Sequence, residues 1–197
     1  EKKIKNVIWF FSEPNDLRNL VEEIKNPLLK NYINDDNFSQ NLLSRQNEID
    51  QKVLKVKEKN RFLKLSSTRG IIHKIFKSKK IETKIKKKAD SSEKNLDTFK
   101  SIIYKANNFA KFKNSNFYFV YLPTPRRYLD GEYNKTNYNK VIGIVEKLSI
   151  PIIDLHEEIF IKQNNPKSLL PFQEFAHYNE KGYALIAETI YSKVNKY

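Results

Sequence analysis

Two short and almost entirely apolar segments constrain the fold of this chain more than any other feature. Residues 6–11 read Asn-Val-Ile-Trp-Phe-Phe, and residues 116–122 read Asn-Phe-Tyr-Phe-Val-Tyr-Leu. Proline and polar residues follow each of them and end the extended segment. Apolar runs of this length are typical of strands that are buried on both faces, as in a parallel sheet. A shorter segment of the same kind, residues 150–154, predicts a third strand.

Helical spacing of apolar residues fills the intervals between these strands. We predict several short helices within residues 17–76, an amphipathic helix over residues 96–109, and further helices over residues 137–148, 155–162 and 179–194. Strands that alternate with helices form βαβ crossovers, which bury a parallel sheet between two layers of helices. The pattern therefore predicts an α/β fold, a three-layer αβα sandwich with a parallel sheet. The length of 197 residues fits a single domain over residues 1–197.

Composition and charge narrow the classes of function. No apolar run reaches the roughly 18–20 residues of a membrane helix, so no membrane span is predicted. The sequence has no cysteine and only three scattered histidines, a composition that excludes disulfides and thiolate chemistry and predicts no metal site. The net charge of +14 would suit nucleic acid or another anionic surface.

The distribution of the basic residues argues against nucleic acid. The densest basic segment, residues 77–92, is of low complexity and has almost no aromatic side chains that could stack on bases. We predict that this segment is a solvated, mobile connection within the domain. A binder of nucleic acid or an anionic surface, acting through residues 77–88, remains an alternative that a steep salt dependence would support.

Ligands bind at the carboxyl ends of the strands in open parallel sheets. Polar segments follow all three predicted strands at that edge, and the last loop adds a fourth: residues 12–16, 124–128, 154–156 and 174–183. In the last loop, Glu174 stands three residues before His177. An acid at this spacing can turn back to accept the imidazole Nδ1 proton, which leaves Nε2 free as a general base.

A candidate oxyanion donor follows the first strand. Asn15 offers a side-chain amide N–H, which suits the oxyanion that develops during acyl transfer. Asn15 and Asp16 are both residue types that cap helices, and a helix is predicted from Leu17. We assign the cap to Asp16 and the catalytic role to Asn15. Asp154, after the third strand, is the reserve candidate for orienting His177.

Other polar side chains near this edge carry a weaker functional signal. Arg126 and Arg127, in the loop after the second strand, are candidates for holding an anionic or sugar substrate at the rim of the cleft. The histidines His73 and His156 have no surrounding motif, and we assign them to the surface or to helix packing.

The order of these segments resembles a known family. Residues 10–17 read Phe-Phe-Ser-Glu-Pro-Asn-Asp-Leu, and residues 171–183 read Pro-Phe-Gln-Glu-Phe-Ala-His-Tyr-Asn-Glu-Lys-Gly-Tyr. With residues 121–123 and 150–155, they resemble the SGNH or GDSL hydrolase family over nearly the whole chain. The resemblance implies a flavodoxin-like αβα fold. It also implies hydrolysis or transfer of an acyl ester by a nucleophilic serine, without a metal or a cofactor.

The resemblance assigns roles to individual residues. Asn15 would be the oxyanion donor, His177 the base and Glu174 the acid. Two positions depart from the family pattern, because Pro14 stands where the family has Gly and Glu174 where it has Asp. Proline fixes φ near −65° and removes an N–H, so we expect an altered oxyanion loop.

The family's nucleophile belongs to a Gly-Asp-Ser motif, which this sequence lacks. The sequence also contains no Met, including at position 1. We therefore expect an N-terminally truncated fragment, inactive alone. Its parent would be a bacterial serine esterase or acyltransferase of the cell envelope, periplasm or cytoplasm, acting on a small acyl ester or an acylated carbohydrate. The alternative is a non-catalytic SGNH-like binding or accessory module. The oligomeric state stays open.

Overall fold

The computed structural model describes residues 3–62, 90–129, 136–173 and 177–195. The described strands are β1 (Asn6–Ser12), β2 (Asn116–Leu122) and β3 (Ile152–Asp154). The described helices are α1 (Asp16–Glu23), α2 (Pro27–Asn34), α3 (Gln46–Phe62), α4 (Asp90–Phe112), α5 (Arg126–Leu129), α6 (Thr136–Lys147), α7 (Leu155–Glu158) and α8 (Glu180–Val194). Short 3-10 turns connect α7 to α8 at Phe160–Lys162, Pro166–Leu169 and Pro171–Gln173.

The strands form one small, open, parallel sheet in the order β1-β2-β3. Asn6 pairs with Asn116 at one end of β1, and Ser12 pairs with Leu122 at the other. β3 continues the sheet with Tyr121 opposite Asp154. The predicted α/β class and the parallel arrangement are confirmed. The helix predicted over residues 155–162 is shorter, since α7 ends at Glu158 and a 3-10 turn follows.

One face of the sheet packs against α4 and α6. The Phe11 ring lies 5.3 Å from the Phe99 ring and 5.5 Å from the Tyr121 ring, measured between centroids. Val141 and Val145 of α6 are buried in the same cluster. Each fully buried side chain of this size contributes about 1.5–3 kcal/mol through the hydrophobic effect, and well-oriented ring pairs add to this.

The opposite face is covered at β2 and β3. Buried residues from α7, α8 and the 3-10 turns pack there against Tyr118, Val120 and Ile153. β1 is different, because Ile8 is 37% exposed and Phe10 is 49% exposed. The prediction that this strand is buried on both faces is therefore wrong. β1 is an edge strand of the described sheet, and its second face lies beyond the cluster that covers the other two strands.

The chain divides into two compact units, residues 1–29 with 89–197, and residues 30–88. The first contains the sheet. In the second, the Tyr32 ring meets the Phe38 ring edge-on at 4.8 Å, and Glu48 pairs with Arg45 and Lys52 along α3. Residues 77–89 of the predicted mobile connection lie outside the described residues. None of the described helices combines the length and apolar character that crossing a membrane requires.

Candidate functional site

All three strands end at the same edge of the sheet because they run parallel. Their last residues are Ser12, Leu122 and Asp154. This edge is therefore the one at which the sequence predicts a site, and the loops that follow the strands supply its side chains.

A buried ion pair ties the first two of these loops together. Glu13 accepts a hydrogen bond from the Thr124 N–H at 2.6 Å, and its other carboxylate oxygen accepts from Arg127 Nη2. The two charged side chains are 4% and 3% exposed. The Glu13 N–H also donates to the Leu122 carbonyl at 3.0 Å. Together these bonds lock the loop after β1 onto the loop after β2.

The ion pair also determines the environment of Arg127. Burial lowers the pKa of Arg127. The hydrogen bond to Glu13 and the negative charge of Glu13 outweigh burial, so the pKa of Arg127 lies above its usual range. The guanidinium lies 4.9 Å from the centre of the Tyr138 ring, in cation–π geometry. Arg127 thus lies inside the protein, not at the rim where we expected it, whereas Arg126 is exposed. Substrate binding by the two arginines stays a prediction.

Asp154 begins α7 as its N-cap. Its Oδ1 accepts from the His156 N–H at 2.9 Å, and its Oδ2 accepts from the Tyr138 hydroxyl at 2.5 Å. Burial raises the pKa of Asp154, against the lowering effect of these hydrogen bonds. Both carboxylate oxygens of Asp154 therefore already accept hydrogen bonds from neighbouring groups. The reserve role of orienting His177 stays a prediction.

His156 is buried beside this cap and is 6% exposed. Its Nδ1 lies 2.8 Å from the Tyr128 hydroxyl, and the Tyr138 ring meets it edge-on at 5.7 Å. Burial raises the pKa of Tyr128, so its hydroxyl stays protonated at neutral pH. The assignment to packing agrees with this position, but sequence reasoning missed the tyrosine partner.

The last loop reaches the same edge through Tyr178. The Tyr178 hydroxyl donates to the Pro123 carbonyl, and its ring stacks on Phe160 with 5.0 Å between centroids. His177, the preceding residue, is exposed. Glu174 lies outside the described residues, so its predicted hydrogen bond to His177 stays a prediction.

The next residue of that loop starts the last helix. Asn179 caps α8 through a hydrogen bond from the Gly182 N–H to its side-chain oxygen at 2.9 Å. Its amide donates to the Ser168 carbonyl at 2.9 Å. These bonds anchor Asn179, two residues after His177, to the 3-10 turn at Pro166–Leu169.

Asn15 is exposed at the start of α1. It occupies the N-cap position without a side-chain cap, and its Oδ1 accepts from Arg18 Nη2 at 2.7 Å. Because the side-chain oxygen of Asn15 accepts this hydrogen bond, the amide N–H groups of Asn15 can donate to other partners. The assignment of the cap to Asp16 is wrong, because this carboxylate reaches back to the Ser12 N–H at 2.9 Å.

The loop that carries Pro14 forms without a left-handed residue. The Asn15 N–H donates to the Ser12 carbonyl at 3.1 Å, which closes a tight turn around Glu13 and Pro14. The positive φ angles of the described residues lie elsewhere in the chain. Proline therefore fits this turn, and the alteration of the loop relative to the family stays a prediction.

A cavity of about 280 Å³ lies beside this loop on the core side of β1. Its lining is mostly apolar and includes Trp9, Leu17, Leu20 and Phe99, with the carboxylates of Asp16 and Glu23. Burial raises the pKa of Asp16.

Within the part of the chain that the structure describes, no group of three or more His, Asp or Glu residues could hold a metal ion. The chain was also compared with protein-family models, with curated proteins and with solved structures, and nothing matches it. The resemblance to the SGNH family therefore stays an expectation that depends on the motifs themselves.

Proposed function

We propose that this chain is the part of an SGNH-type serine esterase or acyltransferase that carries the catalytic base and the oxyanion donor. His177 is the base and Asn15 is the donor. Glu174 orients the imidazole through Nδ1. The nucleophilic serine belongs to the family's Gly-Asp-Ser motif, which this sequence lacks. The substrate is a small acyl ester or an acylated carbohydrate, a class that the resemblance implies.

One observation carries this proposal. Glu13 accepts a hydrogen bond from the Thr124 N–H, and Tyr178 donates to the carbonyl of the preceding residue, Pro123. The loop with the candidate oxyanion donor and the loop with the candidate base are thus both tied to two consecutive residues after β2. This convergence on one short segment supports an acyl-transfer site at this edge.

The proposed reaction is a two-step acyl transfer. The serine hydroxyl attacks the ester carbonyl carbon while His177 Nε2 accepts its proton, and the carbonyl electron pair moves to the oxygen as an oxyanion. The Asn15 amide N–H stabilises this oxyanion. Collapse breaks the bond to the alcohol, which leaves with the proton from His177. Water, or a second hydroxyl group in a transferase, then releases the acyl group by the same steps.

The test uses the full-length product of the gene and a short-chain p-nitrophenyl ester. His177→Ala is expected to lower kcat/KM by at least about a thousandfold, since the members of a triad act as a unit. Asn15→Ala is expected to lower kcat by about 100- to 1000-fold. Asn19→Ala is the matched control, because Asn19 is exposed on the same helix and is expected to leave activity unchanged.

Two results would contradict the proposal. One is a folded full-length protein without esterase activity, and the other is activity that does not change in His177→Ala. Either result would favour the non-catalytic accessory module instead.

A further inference from the structure

The carboxyl-terminal end of α4 exposes large apolar rings next to basic side chains. Phe109 is 65% exposed and Phe112 is 77% exposed, whereas Phe99 of the same helix is buried. Their exposed basic neighbours are Lys111 and Lys113. The Lys113 Nζ lies 5.8 Å from the Phe109 ring centre and 5.5 Å from the Phe112 ring centre.

The start of β1 extends this surface. The Ser115 hydroxyl donates to the Ile4 carbonyl at 2.7 Å, and the Asn116 N–H donates to the Lys5 carbonyl at 2.8 Å. Ile4 is 64% exposed, and Lys3 and Lys5 are exposed on either side of it. We define the amino-edge surface by these residues together: Lys3, Ile4, Lys5, Phe109, Lys111, Phe112 and Lys113. It lies at the end of the sheet opposite the candidate site.

The end of α4 and the start of β2 bring only basic charge to this surface. Residues 98–118 contain four lysines and no Asp or Glu. Counter-charges from this stretch of the chain are therefore absent, and the lysines of the surface attract anions. Electrostatic attraction alone would not require exposed phenyl rings beside the lysines. The rings therefore indicate an apolar contact in addition to the electrostatic one.

We propose that the amino-edge surface binds the surface of an anionic lipid bilayer. A phenyl ring and a lysine are both satisfied at the boundary between headgroups and acyl chains, where the ring inserts and the ammonium extends to the phosphates. Anionic lipids attract each lysine near the membrane surface and increase binding about fivefold per residue. The exposed phenylalanines of the amino-edge surface would contact the acyl chains, and the surrounding lysines would contact the headgroups.

Two features favour a bilayer over single-stranded nucleic acid. The cations of the surface are lysines, whereas arginine is the residue that pairs bidentately with phosphate and stacks on bases. In addition, Lys113 lies against both rings, so a base that stacks on either ring must compete with this ammonium. Insertion into lipid leaves the ammonium at the headgroups.

The test is co-sedimentation of the whole chain with lipid vesicles at low salt. Vesicles of phosphatidylcholine with about 30% phosphatidylglycerol are expected to bind the chain, and vesicles of phosphatidylcholine alone are not. The double variant Phe109→Ser with Phe112→Ser is expected to lower binding at least about tenfold. This variant keeps the net charge, so charge does not explain such a loss. Tyr183→Ser with Tyr191→Ser, two exposed rings on α8, is the matched control and is expected to bind normally.

A second variant tests insertion directly. Phe112→Trp adds a tryptophan to the native Trp9, and lipids with brominated acyl chains are expected to quench the added fluorescence. Tyr191→Trp on α8 is expected to stay unquenched. Equal sedimentation of the Phe109/Phe112 variant, or an unquenched Phe112→Trp, would overturn the proposal. Binding of a single-stranded oligonucleotide that depends on the two phenylalanines, without binding to vesicles, would also overturn it.

Discussion

The ion pair between Glu13 and Arg127 allows the sharpest stability prediction. Substitution Glu13→Gln preserves the shape of the side chain but removes its charge. The guanidinium then stays in an environment where it is 3% exposed and has lost its charged partner. Removing one partner of a buried ion pair typically costs about 3–5 kcal/mol, because the remaining charge is uncompensated. We expect a loss of this size in the free energy of unfolding.

The double variant tests the physical reason for this loss. Arg127→Met, added to Glu13→Gln, removes the buried guanidinium charge, while the amide oxygen of the introduced glutamine can still accept from the Thr124 N–H. We therefore expect the double variant to be more stable than Glu13→Gln alone by about 2 kcal/mol or more. Glu158→Gln is the matched control, because Glu158 pairs with Lys162 and Lys193 in a partly exposed position. Its expected cost is about 1 kcal/mol or less.

Urea unfolding, followed by fluorescence, measures these differences. Trp9 is the single tryptophan of the chain and lies in the unit that contains the ion pair, with 6.3 Å between its ring and the Phe117 ring. At a slope of about 2 kcal/mol per molar urea, Glu13→Gln is expected to lower the midpoint by about 1.5–2.5 M. A loss below about 1 kcal/mol, or a double variant as unstable as the sum of the single variants, would refute the reasoning.

Three further variants test the contacts around the site. A Cβ at Gly182 would lie 2.8 Å from the Leu169 carbonyl oxygen, so Gly182→Ala should cost about 1–3 kcal/mol in thermal or urea unfolding. Asn179→Ala removes the cap of α8 and should cost about 1–2 kcal/mol in the same assay, with normal stability contradicting the cap. Tyr138→Phe removes a hydrogen bond that lowers the pKa of Asp154, so an NMR titration should find this pKa higher still. Because folding raises this pKa above its ordinary 3.8, stability falls as pH rises between the two values, and the variant should extend this fall to higher pH.

The strands could be predicted from the sequence because their signal is local. Apolar runs that end at Pro or at polar residues identify β1 and β2 to within one residue of the observed bounds. The burial of β1 could not be predicted in the same way. The burial of a strand depends on whether helices cover both of its faces. An apolar run such as Val7 to Phe11 can form either an edge strand or a central strand, so the sequence does not distinguish the two.

The contacts within the site depend on distant parts of the chain. Glu13 and Arg127 are 114 positions apart, and their pairing follows from the register of β1 against β2. Tyr178 and Pro123 are 55 positions apart. Periodicity identifies the elements that carry these residues but contains no information on their partners. A motif predicts the candidate base and oxyanion donor, whereas only the structure shows the ion pair and the hydrogen bond from Tyr178 to Pro123.

The most direct test of the proposed function is covalent labelling of the full-length gene product with a fluorophosphonate, followed by mass spectrometry. An activated serine is expected to form one adduct per chain, because the base removes the proton from its hydroxyl. His177→Ala is expected to abolish this labelling, and Asn19→Ala is expected to retain it. A folded full-length protein that forms no adduct, or labelling that is equally fast in His177→Ala, would contradict the account.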